Sequence, residues 1–148
     1  MANSQQMPVL PIDAYFSQAW FDREMETIFS RTWQFAGFIE DLADPGDYIT
    51  VQAGLNNILF LLDENRQMRA FHNLCRHRGT QLLRAVGKRK KFITCPYHDW
   101  TYNLEGELMG VPERKTQFPD LDLKNLRLYK ASVGTWRGMI FVHPDENA

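Results

Sequence analysis

The sequence predicts a mainly β, antiparallel domain preceded by one helix. Two patterns predict it. From Trp33 onward, short apolar and β-branched runs alternate with turn residues. Before Trp33, Phe21, Met25, Ile28 and Phe29 recur at helical spacing. That helix is expected from Ser17, an N-cap residue type, to Arg31, with its apolar face packed on the domain core, a partner being the alternative. Residues 1–11 are polar, carry Pro8 and Pro11, and read as an arm. Strands are expected at Trp33–Ile39, Tyr48–Val51, Ile58–Leu62, Met68–His72, Phe92–Thr94, Thr101–Asn103, Leu126–Val133 and Trp136–Val142. Asp44-Pro45-Gly46-Asp47 and Asp63-Glu64-Asn65-Arg66 read as turns. Leu104-Glu105-Gly106-Glu107 reads as a tight hairpin with Gly106 at positive φ, and the last hairpin is expected to turn at Gly134. Residues 112–125 read as a charged, irregular connection.

The bulk numbers fit one domain of 148 residues. Ten Phe, five Tyr and four Trp supply a core, so size does not demand a disulfide staple. A net charge of −1 argues against nucleic acid or an anionic membrane as partner. No apolar run approaches a membrane span. Met1–Gln6 lacks the charged and apolar regions of a signal peptide. These features point to a cytoplasmic chain.

The two cysteines carry the functional signal. Cys75-Arg76-His77 is followed, after seventeen residues, by Cys95-Pro96-Tyr97-His98. Each half offers one thiolate and one imidazole from a short loop. A Rieske-type [2Fe–2S] cluster needs this set, with two Cys on one iron and two His on the other. Neutral imidazoles remove two negative charges relative to four thiolates, so the centre accepts an electron more readily than plant-type ferredoxins near about −400 mV. Two alternatives use the same residues. Cys₂His₂ also suits structural zinc, although zinc fingers run Cys, Cys, His, His rather than Cys, His, Cys, His. A disulfide between the two cysteines is the other, disfavoured in a reducing compartment.

Cys75–Gly79 and Cys95–Tyr102 resemble the cluster loops of Rieske non-haem iron oxygenase alpha subunits, the ring-hydroxylating dioxygenases and related monooxygenases and demethylases. Ile28–Trp33, Pro45–Tyr48, Arg69–Asn73, Thr135–Gly138 and Ile140–Val142 resemble other signals of that family, so the likeness runs over residues 12–145. The resemblance implies a Rieske-type antiparallel β-sandwich with a cluster-binding subdomain and an N-terminal helix. It divides the chain into residues 1–34, arm and helix, and residues 35–148, the [2Fe–2S] domain with cluster loops 75–79 and 95–102. It implies electron relay from an NAD(P)H-dependent reductase or a ferredoxin, out through His98 and a bridging Asp, to mononuclear Fe(II) in a neighbouring alpha subunit. The oligomer is expected to be a ring, a trimer. That Fe(II) needs a catalytic domain absent from this chain, which by itself is expected to transfer electrons only. The chain then corresponds to the N-terminal half of an alpha subunit or to a free-standing version of it.

Tyr97 and Trp100 flank the second loop and are expected to shield the cluster, or to serve as ordinary aromatic core. Gly79 is expected to allow close backbone approach and N–H donation to a sulfide, an ordinary turn glycine being the alternative. Pro96 shapes the second loop. No further cysteines form the disulfide clamp of cytochrome bc-type proteins; those proteins also resemble one another in a Ser near the second loop whose hydroxyl bonds a cluster sulfur, and Trp100 stands where that Ser would be, while Tyr102 remains. Fewer hydrogen bonds to sulfur place the expected potential in the lower half of the roughly −150 to +300 mV Rieske range. His72 is expected to pack or hydrogen-bond and His143 to be exposed; neither reads as an iron ligand. Lys88-Arg89-Lys90-Lys91 reads as a solvated loop tip, with docking of an acidic donor as its functional alternative. The competing functions are a free-standing Rieske ferredoxin-type carrier and a zinc-stabilised interaction module. The substrate is not legible.

Overall fold

The computed structural model describes residues 9–148. Residues 1–8, which hold most of the expected arm and the Met1–Gln6 segment, lie outside the described residues. Among the described residues, ten strands form two antiparallel sheets. They are β1 (Gln34–Phe38), β2 (Tyr48–Ala53), β3 (Asn56–Leu62), β4 (Met68–His72), β5 (Val86–Gly87), β6 (Ile93–Thr94), β7 (Thr101–Tyr102), β8 (Leu108–Gly110), β9 (Lys130–Trp136) and β10 (Met139–His143). The large sheet runs β1-β10-β9-β4-β3-β2-β5 and the small one β6-β7-β8.

The apolar run Ile58–Leu62 explains the layering. Successive strand residues point to opposite faces, and here both faces are covered. Ile58, Phe60 and Leu62 join Ile140, Val142 and Ala131 in one core, so β3 faces β9 and β10 across it. Leu59 and Leu61 join Cys75, Cys95, Trp100 and Tyr102 in the other. Strand β3 therefore separates a structural core from the core that carries the Cys/His loops. The mainly β, antiparallel class expected from the sequence is the observed one.

The predicted turns hold at Asp44–Asp47, where the Asp47 N–H donates to the Asp44 carbonyl, and at Asp63–Arg66. Gly106 has φ +82° as expected. The last hairpin does not turn at Gly134. It turns at Arg137-Gly138, both at positive φ, and Gly134 pairs with Phe141 inside the ladder. A Cβ at Gly134 would sit 3.5 Å from the Trp33 ring, so this glycine makes room for an indole rather than a turn. The strand expected from Leu126 begins only at Lys130. Leu126 and Leu128 hydrogen-bond to Leu108 and Gly106 instead, which draws that stretch to the small sheet.

The N-terminal segment differs from expectation in its packing. A 3-10 turn (Ile12–Tyr15) precedes α1 (Gln18–Glu24), which widens into a π-type turn over Met25–Phe29, closed by Ser30 N–H donating to the Met25 carbonyl. Ser17 occupies the N-cap position without a side-chain cap bond. No residue of α1 or the π-type turn is buried; Phe21 is 52% exposed and Ile28 48%. The segment is tied to the β domain at its far end, where the Leu55 N–H donates to Ser30 Oγ. Its apolar face is thus not part of either core. No helix of the described residues is long and apolar enough to cross a membrane.

Candidate metal centre

The two Cys/His loops share one backbone design. In the first, which leaves β4, Cys75 N–H donates to the Thr80 carbonyl and Gly79 N–H to the Cys75 carbonyl, at 2.8 and 2.9 Å. In the second, between β6 and β7, Cys95 N–H donates to the Trp100 carbonyl and Asp99 N–H to the Cys95 carbonyl, at 2.8 and 3.1 Å. Each loop closes on a left-handed residue, Gly79 at φ +66° and Asp99 at φ +54°. Asp tolerates that region better than most side chains. This twin closure gives Gly79 a backbone role in the loop. Its N–H is bound to the Cys75 carbonyl, and its φ of +66° is one that glycine adopts without strain.

Cys75 and Cys95 are free thiols, 2% and 1% exposed, so the disulfide alternative does not hold. Burial raises the Cys75 pKa, and the Cys95 thiol beside it raises it further; hydrogen bonds from Tyr102 and the His77 amide pull the other way. Metal coordination would override that preference by deprotonating the thiol. The Tyr102 hydroxyl lies 3.3 Å from Cys75 Sγ and accepts the Arg76 N–H at 3.1 Å. Because it accepts from the amide, its own proton is free for the sulfur. Burial and the Cys75 contact raise the Tyr102 pKa, which keeps that proton in place.

His77 and His98 face each other with ring centroids 4.7 Å apart. The Nδ1 atoms of both are buried and without a hydrogen-bond partner. Buried polar atoms are rarely left so, and two on adjacent imidazoles beside two adjacent thiols match the needs of a metal centre. Burial, then His98 and Arg78, lower the His77 pKa, favouring the neutral imidazole that ligates metal. Among the described residues no three His, Cys, Asp or Glu side chains converge on one ion. A Rieske centre asks for only two protein ligands per iron, so the donor set fits a two-iron cluster.

Trp100 stacks on His77 at 4.8 Å and 7°. Phe118 meets His77 and Trp100 edge-on at 5.7 Å each. Tyr97 lies 3.8 Å from His98, ring to ring, yet is 57% exposed; it covers an imidazole from outside, while Trp100 is buried. On this side His77, His98, Trp100 and Phe118 line an open depression of about 460 Å³, rimmed by Arg78, Asp99, Glu113 and Gln117. The connection 112–125, read as irregular, therefore covers His77, and it includes a short helix at Arg114–Gln117. Phe118, isolated in a charged stretch, was the available signal.

Other expectations fall as follows. His72 Nε2 donates to the Pro144 carbonyl at 2.9 Å, a structural bond. His143 is not exposed: β10 extends through it, it is 9% exposed, and its ring lies 5.7 Å from Trp33. Of the basic run, Lys88 pairs with buried Asp47 and Arg89 with Asp44. Half of that run holds the turn at 44–47 in place.

This chain belongs to the Rieske [2Fe–2S] domain family, whose model matches residues 32–130. Within that class it is similar to oxygenase subunits. It is 37% identical over 134 residues to the carnitine monooxygenase oxygenase subunit of Acinetobacter baumannii, covering 90% of this chain and 36% of that protein. It is 36% identical to the benzene 1,2-dioxygenase subunit alpha of Pseudomonas putida, covering 90% and 30%. A crystal structure of an apo quaternary ammonium Rieske monooxygenase superposes with TM-score 0.84 at 37% identity, over 95% of this chain and 40% of that one. A naphthalene 1,2-dioxygenase bound to phenanthrene gives 0.82 at 32%, over 90% and 30%. The chain spans 36% and 30% of the length of the two curated relatives named.

Proposed function

We propose that this chain is the electron-transfer unit of a Rieske non-haem iron oxygenase. The observation that carries the proposal is the pair of buried, unpartnered Nδ1 atoms of His77 and His98 beside the buried thiols of Cys75 and Cys95. In this reading Cys75 and Cys95 hold one iron of a [2Fe–2S] cluster, and His77 and His98 hold the other through Nδ1. When bound, such a cluster supplies one-electron storage at a potential above that of plant-type ferredoxins.

The chain's own groups then have definite tasks. The twin loop closures fix the shape in which each loop presents its Cys/His pair. Tyr102 donates to Cys75 Sγ and stabilises negative charge on sulfur. Trp100 and Phe118 exclude water from one face of His77, and Tyr97 covers His98. Gly79 and Asp99 shape the loops. His98 lines the open depression and is the electron exit toward an acceptor docked there.

By the same reading, residues 35–148 form the electron-transfer domain and residues 1–34 its arm and helix. The electron donor is an NAD(P)H-dependent reductase or a ferredoxin. The acceptor is mononuclear Fe(II) in the catalytic domain of a neighbouring alpha subunit, in a trimer, outside these 148 residues. Two free, buried thiols suit the cytoplasm. The exposed apolar face of the N-terminal segment favours a larger assembly over a free ferredoxin-type carrier, because soluble monomers seldom expose such patches. The experiment is iron and acid-labile sulfide analysis of anaerobically purified protein, with the EPR spectrum after dithionite reduction. Two iron and two sulfide per chain with a mixed-ligand signal support the proposal. Zinc without sulfide refutes it.

A further inference from the structure

The necks of the two cluster loops are closed by different means. Below the second loop, β6 and β7 pair backbone to backbone, Ile93 with Tyr102 and Thr94 with Thr101. Below the first, one isolated bridge, Leu74 with Gln81, is followed by Leu82 and Leu83, which lie in no strand. Three of their backbone groups bond instead to one side chain, and the Leu83 carbonyl accepts in addition from Gln81 Nε2 at 3.0 Å. Asn73 is 3% exposed. Its Oδ1 accepts the N–H of Leu82 at 3.2 Å and of Leu83 at 3.0 Å. Its Nδ2 donates to the Leu83 carbonyl and to Asn57 Oδ1, both at 2.7 Å. An amide offers two donors and two acceptor sites, so every one is used. Leu82 and Leu83 are themselves buried against Cys75, Cys95 and Trp100.

We infer that Asn73 is a positioning residue for the metal centre: its side chain replaces a missing β-ladder step and sets the spread of the loop that presents Cys75 and His77. The inference rests on the proposed cluster for its consequence, but the clasp itself is a property of the chain. Asn73 touches no proposed ligand atom, so it acts through the loop.

The test compares Asn73→Ala and Asn73→Asp with Val142→Ala, a cavity in the other core. All are read as purified holoprotein by amide hydrogen exchange, by EPR of the reduced protein and by the rate of iron loss to a chelator. In Asn73→Ala, the amides of Leu82 and Leu83 should exchange at least about tenfold faster, the ratio that follows when a buried amide loses its partner, and that of Gly79 should also exchange faster as the loop loosens. Those of Cys95 and Asp99 should not change. Iron loss should accelerate similarly, with an altered EPR line shape. Asn73→Asp keeps the acceptor oxygen for Leu82 and Leu83, so it should protect those amides and release iron at an intermediate rate. It also serves if Asn73→Ala does not fold. Val142→Ala should lower the melting temperature with the wild-type EPR line shape. Equal exchange in both loops, or iron loss that tracks melting temperature alike in the Asn73 and Val142 variants, would overturn the inference. Wild-type protein without iron and sulfide would instead overturn the proposed function, while the exchange experiment would still decide the clasp.

Discussion

Tyr102→Phe removes one oxygen and nothing else from the buried side of the centre. The hydroxyl it deletes sits 3.3 Å from Cys75 Sγ and is polarised by the Arg76 N–H. A neutral hydrogen bond contributes about 1 kcal/mol net, and it favours the reduced state because that state carries more negative charge on sulfur. For a one-electron couple about 59 mV corresponds to a tenfold change, so a loss near 1 kcal/mol lowers the midpoint potential by roughly 40 mV. The Arg76 N–H also loses its acceptor, which costs about 1–2 kcal/mol of stability and about 3–6 °C in melting temperature for a domain of this size. Spectroelectrochemical titration gives the first quantity and thermal unfolding the second. Tyr97→Phe is the control, since that ring lies against His98 rather than a sulfur. An unchanged or raised potential in Tyr102→Phe would refute the assigned role. A wild-type midpoint well above zero would refute the expected position in the lower Rieske range.

Three other outcomes follow from the geometry. Burial alone would raise the Asp47 carboxyl, but N–H donors from Asp44 and Arg89, with Lys88, hold it at about 2 against 3.8. Its folded pKa is depressed, so its contribution, on the order of 2 kcal/mol, is present above about pH 4 and lost as pH falls toward 2; urea unfolding of Asp47→Asn across that window should lose this pH dependence. Phe118→Ala opens one side of the His77–Trp100 stack, and visible absorbance should bleach faster in air while unfolding free energy falls by only about 1–2 kcal/mol; bleaching at the wild-type rate would remove Phe118 from the shield. Gly79 sits at φ +66°, so Gly79→Ala should cost about 1–2 kcal/mol of unfolding free energy for the left-handed backbone; unfolding at the wild-type free energy would refute that.

The proposed ligands were legible because Cys75, His77, Cys95 and His98 announce their chemistry by type and spacing. The strands were legible where one face alternates or a run is wholly apolar, as in Ile58–Leu62. What stayed hidden depends on residues brought together from afar. Gly134 looks like a turn until Trp33 is seen lying over it. His143 looks exposed until β10 carries it into the sheet. The helical face at Phe21 and Ile28 is amphipathic, yet periodicity does not say which body covers it. Asp99 is the counterpart of Gly79, but only the shared hydrogen-bond closure shows it. Asn73 precedes the first loop like any polar residue, and its four bonds reach residues 57, 82 and 83. Lys88 and Arg89 read as a free charge run because their partners, Asp47 and Asp44, lie some forty residues earlier.

The central claim is that His77 and His98 ligate the same iron through Nδ1. Pulsed EPR of the reduced protein tests it directly, because a ligating imidazole couples its nitrogen to the unpaired electron. Two nitrogen couplings in the wild type, with one lost in His77→Ser and the other in His98→Ser, are the predicted result. A reduced centre without nitrogen coupling, or a colourless protein holding zinc, would contradict it.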